Sequence, residues 1–213
     1  MASALTFTTQ RNAEARALLR DPGFRREWET LVRACPWATA FQDVGFTDAW
    51  WDVYGETHEP LIVQARDAGG ALCGLLLLAR EQSSDRVTPV GSYHAEYHAW
   101  LAHEHVGDAF MREALGPLRS SLGVTQLRFH FLAPGAPVGW LADARGPLAP
   151  LGVRADHPRG LRDLGDGTLD RESLRRKSAR SKRARLERDG AVVYRTVASP
   201  DEFEHWLPQI IAQ

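Results

Sequence analysis

The chain has 213 residues, of which 44% are hydrophobic and 25% charged, and its formal net charge is -1 at pH 7. This composition excludes an intrinsically disordered chain, and the length allows one good core, or one core and a smaller unit. The densest apolar run, residues 71–79, is too short to cross a bilayer, so we expect no membrane span. No basic-then-apolar leader opens the sequence, and Cys35 and Cys73 are isolated from each other. We therefore expect a cytoplasmic protein without a disulfide framework.

The first sixty residues predict one strand and three helices. Phe24, Trp28 and Leu31 recur at helical spacing, and Thr47 with Asp48 is predicted to cap the third helix. The predicted elements are a strand over residues 5–9 and helices over 12–19, 22–34 and 49–54.

The middle of the chain predicts a β-hairpin followed by shorter elements. Residues 60–66 and 71–81 form its strands, because Gly69 and Gly70 between them can adopt positive φ. The further elements are strands over 86–91, 99–102 and 124–132, a helix over 107–121, and a short helix within 138–151. Helices and strands alternate around this hairpin, so we predict an α/β fold of the α+β type. Its helices flank a central mixed, largely antiparallel sheet.

The charge is unevenly distributed along the chain. Residues 171–188 hold nine basic and two acidic residues, so this segment carries +7 and the remainder -8. A long basic helix is predicted here, followed by a strand over 191–197 and a helix that begins after Ser199. We divide the chain into a domain over 1–165, a connecting helix over 166–190, and the start of a second domain over 191–213.

Three segments carry a resemblance to a known family. They are residues 37–42 (WATAFQ) leading to Trp50 and Trp51, the end of the hairpin at 74–80 (GLLLLAR), and the basic helix over 175–188. In this order they resemble the cellulose-biosynthesis-type acetyltransferases of the GNAT superfamily, relatives of the Fem-type aminoacyltransferases. The resemblance implies two tandem GNAT-like domains, the first over 1–165 and the second only begun at 191–213.

The resemblance also implies an activity. Members of this superfamily transfer an acetyl or acyl group from acetyl-CoA to an amine or hydroxyl. The acceptor here would be a surface-polysaccharide precursor or a small metabolite, and the donor site would belong to the second domain. Residues 66–71 match the acyl-CoA loop pattern Q/R-x-x-G-x-G/A literally, but no helix follows to favour the anionic pyrophosphate. We interpret them as an ordinary hairpin turn.

The best local candidate for a site is the segment over residues 92–100. It gathers Tyr, His and Glu, the groups that general acid–base chemistry requires, near a strand end. The predicted catalytic residues are Glu96, Tyr97 and His98, and the predicted substrate-binding residues nearby are Tyr93, His94 and Trp100. The simpler interpretation, preferred on the sequence alone, is that the aromatic residues pack and the histidines line a surface loop.

The histidines do not predict a metal site. His94 and His98 are four residues apart, and two imidazoles at this spacing can bind one ion when they lie on one face of a helix. The surrounding residues, however, indicate strand and loop. The sequence 103–105 (HEH) has no zinc-protease motif order around it. We predict no bound metal.

The basic helix has two interpretations. Its cations surround the whole circumference, so it is typical of a solvated connector that does not drive its own burial. Alternatively, Arg175, Lys177 and Arg180 contact phosphate on a charged substrate or on nucleic acid. No aromatic residues lie between the cations, which disfavours single-strand stacking and sequence-specific recognition. The alternative function is therefore a non-catalytic binding or scaffolding module whose basic helix docks a partner or nucleic acid.

Overall fold

The structure, a computed structural model, describes residues 5–84, 86–124, 126–141, 177–190, 193 and 195–212. Backbone contacts divide the chain into two compact units, Met1–Arg154 and Ala155–Gln213. The described part contains six α-helices and five strands, which confirms the predicted α+β class in its coarse form.

The first unit is built on an open sheet whose strands all pair antiparallel. Its order is β1-β2-β3-β4, and β5 also pairs with β3. The predicted hairpin is confirmed, since Ile62 lies opposite Leu77 and Gly70 in the turn has φ +84. The strands are β1 (Thr6–Arg11), β2 (His58–Arg66), β3 (Leu72–Glu81), β4 (Val87–Pro89) and β5 (Leu101–Ala102).

The far edge of this sheet is interrupted. Strand β2 occupies one edge of β3 along its length, so β4 and β5 both pair with the other edge. Between them the chain leaves the sheet over residues 90–100, a segment we call the excursion. Beyond it, two isolated parallel bridges join Val87 to Leu127 and His98 to Leu132. The strand predicted over 124–132 is therefore wrong for its described residues, which form only these two isolated bridges with the edge.

Helices cover both faces of the sheet. A Cβ on Gly74 would lie 2.4 Å from the Phe110 ring of α4, so α4 packs directly on that side of β3. Leu75 and Leu77 point to the opposite face, where they approach Thr47 of α3. The helices of this unit are α1 (Asn12–Arg20), α2 (Pro22–Ala34), α3 (Val44–Tyr54) and α4 (Gly107–Ser120).

The start of α3 differs from the prediction. The helix begins at Val44, because the Asp43 carboxylate accepts a hydrogen bond of 2.7 Å from the Phe46 amide and caps it. Thr47 lies inside the helix with 0% exposure, and its hydroxyl has no partner among the described residues. The cap predicted at Thr47 and Asp48 is wrong because Asp43, one turn earlier, already supplies the acceptor.

The described part of the second unit is helical. It contains α5 (Lys177–Asp189) and α6 (Pro200–Ile211), and the Ser199 hydroxyl accepts a hydrogen bond from the Glu202 amide at the start of α6, as predicted. Residues 193 and 195–197 have no strand assignment, so the described part of the strand predicted over 191–197 is not formed. Arg175, the rest of the connecting helix over 166–176 and most of the helix predicted within 138–151 lie outside the described residues; Gly139–Leu141 is a 3₁₀ turn.

Candidate functional site

The excursion at the sheet edge contains every site residue predicted in the first unit. The chain leaves β4 through Gly91, which has φ +98, and Ser92, which has φ +42. Glycine is required at the first position, because a Cβ there would lie 2.5 Å from the Ala95 methyl carbon. The short 3₁₀ turn Ser92–His94 follows and carries Tyr93 and His94 to the surface.

Two side chains from the segment at 37–42 hold the excursion in place. The Trp37 indole N–H donates to the Trp100 carbonyl at 2.7 Å, and the Gln42 amide donates to the Tyr97 carbonyl at 3.0 Å. Both side chains are buried. The backbone of the excursion is thus fixed by residues of the very segment on which the family resemblance partly rests.

His98 is buried and uses both ring nitrogens on the backbone. Its Nε2 lies 2.8 Å from the Ser92 carbonyl oxygen, and its Nδ1 accepts from the His130 amide at 2.9 Å. A carbonyl only accepts, so Nε2 carries the proton and the ring is neutral. Burial lowers the pKa of His98 below its ordinary value, and the nearby His130 adds to this effect. The geometry favours a structural role for His98 over the predicted role as a base.

The ring of His98 also explains why residues 124–132 do not form a strand. Its Nδ1 accepts the hydrogen bond from the His130 amide, which would pair with a backbone carbonyl of the neighbouring strand in a regular ladder. Phe131 and Ala133 bond to the His98 backbone at 2.6 and 3.1 Å, so pairing resumes only beyond the ring. Between the two parallel bridges, the His98 imidazole thus takes the place of a backbone hydrogen-bond acceptor.

The exposed side chains of the excursion fall into two groups. Tyr93 is 59% exposed, and its ring meets the edge of His130 at a centroid distance of 4.7 Å. His94 instead stacks on Tyr54 at 4.7 Å, with its Nε2 2.9 Å from the tyrosine oxygen. Glu96 is exposed and Tyr97 is half-buried. The structure therefore separates two of the predicted substrate-binding residues, Tyr93 and His94, into different local environments.

Trp100 lies in the core. It is 1% exposed, and its ring packs against Trp37, Phe129 and Trp140 at centroid distances of 5.8 to 6.2 Å. A ligand at the surface does not reach this ring, so the substrate-binding role predicted for Trp100 has no support in its position.

Three residues near Tyr93 were not singled out from the sequence. They are Arg86, Arg128 and His130, and the Arg86 guanidinium donates to the Tyr93 hydroxyl at 3.4 Å. Burial lowers the pKa of His130, and the charge of Arg128 lowers it further. A signal was present, because residues 127–131 alternate apolar and polar and so place Arg128 and His130 on one side. The sequence did not show which residues this side would face.

The hairpin turn that matches the acyl-CoA loop pattern is occupied by its own residues. The Asp67 carboxylate accepts from the amides of Gly69 and Ala71 at 2.9 and 3.0 Å. The Arg66 guanidinium forms two bonds to Glu27, of 2.8 and 2.7 Å, and this pairing lowers the pKa of the Glu27 carboxyl. Amides already bonded to a carboxylate do not attract a pyrophosphate. The interpretation as an ordinary turn agrees with this geometry.

A small cavity lies among the described residues of the first unit. A cavity of about 10 Å³ between α3 and the sheet has room for one water molecule, whereas pockets for small molecules have about 300–1,000 Å³. Within the described ranges, no group of three or more His, Cys, Asp or Glu side chains is arranged to hold a metal ion. The same ranges contain no helix that is long and apolar enough to cross a membrane.

Helix α5 presents its cations to solvent. Lys177 and Arg180, the described members of the predicted phosphate contact, are both exposed. Arg183 is paired with Glu187 at 2.7 Å, one turn apart on the same helix. The six exposed basic residues of α5 are Lys177, Arg180, Lys182, Arg183, Arg185 and Arg188.

Comparisons with protein-family models, with curated proteins and with solved structures give no match for this chain.

Proposed function

We propose that the chain is a GNAT-type acyltransferase whose first unit presents the acceptor to acetyl-CoA at the excursion. The observation that carries this proposal is the position of residues 90–100. They interrupt the sheet edge, and the buried Trp37 and Gln42 hold them there. The excursion thus presents Tyr93, His94 and Glu96 at the surface on a rigid support. Rigid support of exposed polar groups favours a site, because catalytic geometry tolerates little displacement.

Glu96 is the residue best placed to act as general base in this proposal. It is exposed, whereas both nitrogens of His98 are engaged by the backbone. The acceptor amine attacks the thioester carbonyl, a C–N bond forms and the C–S bond breaks. The proton lost by the amine passes to the Glu96 carboxylate, and CoA leaves as a thiolate that is then protonated. Tyr97, half-buried beside Glu96, is the third catalytic candidate.

The donor site in this proposal lies outside the hairpin turn at residues 66–71. The turn amides are bonded to Asp67, and the Arg66 guanidinium is bonded to Glu27. The acceptor is an amine or hydroxyl compound, and a surface-polysaccharide precursor is the class that the resemblance implies.

The test uses the full chain. Acetyl-CoA is titrated by calorimetry, and transfer of labelled acetyl is measured with amino sugars and small amines. Glu96→Gln is expected to lower kcat by about 10²- to 10⁴-fold, the usual contribution of a general base. Glu104→Gln, which changes another exposed carboxylate of the same unit, serves as control and should retain activity. A chain that neither binds acetyl-CoA nor transfers acetyl to any acceptor contradicts the proposal.

The exposure of α5 supports a second candidate function, docking to a polyanion. Its six cations are exposed and spread over about 17 Å of helix at 1.5 Å per residue. Each phosphate contact contributes a salt slope of about -0.9 on duplex DNA and about -0.7 on single strands. Fluorescence anisotropy with labelled RNA at several salt concentrations measures this slope. Lys177→Glu with Arg180→Glu should reduce it, while Arg26→Glu on α2 should not.

A further inference from the structure

We propose that Arg86, Tyr93, Arg128 and His130 form a binding site for a phosphate group. This surface, which we call the arginine–tyrosine patch, lies beside the excursion on the first unit. The proposal that the patch binds an anion depends only on the geometry of these residues. The proposal that the anion is the phosphate of an acceptor molecule rests on the proposed function.

Arg86 contacts Tyr93, Tyr93 contacts His130, and the charge of Arg128 acts on His130. Arg128 follows Leu127, which bridges to Val87, and the Arg128 amide donates to the Val87 carbonyl at 3.3 Å. This pairing brings Arg128 next to the start of β4, where Arg86 lies. Arg86 reaches the Tyr93 hydroxyl at 3.4 Å, and the Tyr93 ring meets His130 at 4.7 Å. One small area of surface therefore holds two guanidinium groups, a phenol and an imidazole.

The guanidinium groups of this patch differ from others in the unit in their described ion pairs. Arg25 and Arg66 each form an ion pair, with Asp48 and Glu27 respectively. Among the described residues, Arg128 and Arg86 form no such pair.

One carboxylate lies within electrostatic reach of Arg86. Glu81 accepts a hydrogen bond from the Ser84 hydroxyl, and the charge of Arg86 also helps to lower the pKa of this carboxyl. The guanidinium groups of Arg86 and Arg128 each present a planar fork of N–H donors, which matches phosphate oxygens in charge and geometry.

The patch is held in its shape by His98. This buried ring bonds to the Ser92 carbonyl, immediately before Tyr93, and to the His130 amide. It therefore positions residues on both sides of the patch. The His130 Nε2 atom is itself buried, so the donors that the patch offers a ligand are the guanidinium groups of Arg86 and Arg128 and the Tyr93 hydroxyl.

Inorganic phosphate and pyrophosphate test the site in the full chain at pH 7.5. The readout is residue-specific, because α5 also attracts anions. Two-dimensional NMR should show saturable shifts at Arg86, Tyr93, Arg128 and His130. Arg86→Gln and Arg128→Gln should each weaken this binding roughly tenfold, the usual loss for a charge-assisted hydrogen bond. Arg26→Gln, an exposed arginine on α2, should leave it unchanged.

Each alternative outcome has a definite meaning. Shifts confined to Lys177–Asp189, or equal affinity in all three variants, overturn the site. A partial effect of Arg128→Lys, which keeps the charge and loses the fork, supports bidentate recognition. The assay contains no acyl donor, so it also separates the two proposals. Phosphate binding by a chain that never transfers acetyl refutes the acyltransferase and retains the site, whereas acetyl transfer without phosphate binding does the reverse.

Discussion

Replacement of the buried His98 by leucine should destabilise the first unit strongly. The substitution removes two hydrogen bonds and leaves the Ser92 carbonyl and the His130 amide unpaired. An unsatisfied buried polar group costs about 1–3 kcal/mol, so the two together should lower the free energy of unfolding by about 2–6 kcal/mol. Urea unfolding at pH 7.5 measures this change. His105→Leu, at an exposed position, should stay within about 0.5 kcal/mol of the parent.

The same substitution should change the pH dependence of stability. The pKa of His98 is lowered in the folded chain, so below about pH 6.5 the unfolded chain binds a proton that the folded chain does not. The stability that His98 contributes is therefore full above this pH and is lost as the pH falls. For one group the loss is at most about 1.4 kcal/mol per pH unit. His130 shifts in the same direction, so part of the slope should remain in His98→Leu.

Urea unfolding between pH 7.5 and 5.5 compares the two slopes directly. A shallower slope for His98→Leu than for the parent is expected. Equal slopes, or a free energy of unfolding at pH 7.5 that matches the parent, would refute the neutral, doubly bonded state assigned to His98.

Further predictions concern the packing and capping of the first unit, and urea unfolding at pH 7.5 tests all of them. Gly74→Ala should destabilise by about 1–3 kcal/mol, because the new methyl lies 2.4 Å from the buried Phe110 ring. Asp43→Ala should cost about 1 kcal/mol through loss of the cap. Thr47→Val should be neutral or stabilising, since the hydroxyl it removes has no described partner; a loss above 1 kcal/mol would contradict this assignment.

The local elements of the first unit were largely predictable. Residues 22–34 form α2 as expected, because its apolar residues recur at helical spacing and Pro22 opens the helix. The hairpin was equally clear, since two apolar runs flank a turn with two glycines. In both cases the determining interactions lie within a few residues of each other, so the sequence pattern contains them.

The site itself stays a prediction. The segment over 92–100 was singled out for its Tyr, His and Glu residues, and the structure places it between β4 and β5 at the sheet edge, but the environment of each side chain was not evident from the sequence. His98 and Trp100 are buried, while Arg86 and Arg128 join Tyr93 from other parts of the chain. Whether a histidine is a base or a structural group depends on the groups bonded to its nitrogens, and here those groups lie 6 and 32 residues away.

The sequence by itself determined the α+β class, the hairpin, the main helices and the concentration of positive charge near residue 180, because periodicity, turn chemistry and composition are local properties. Only the tertiary structure decided which side of the interrupted edge each polar group faces. Residues 127–132 bridge to the edge at two positions, which brings Arg128 and His130 towards Tyr93. Between these bridges, the His130 amide donates to the His98 ring. Such a contact between distant segments depends on how the whole unit packs, and no short window of sequence specifies it.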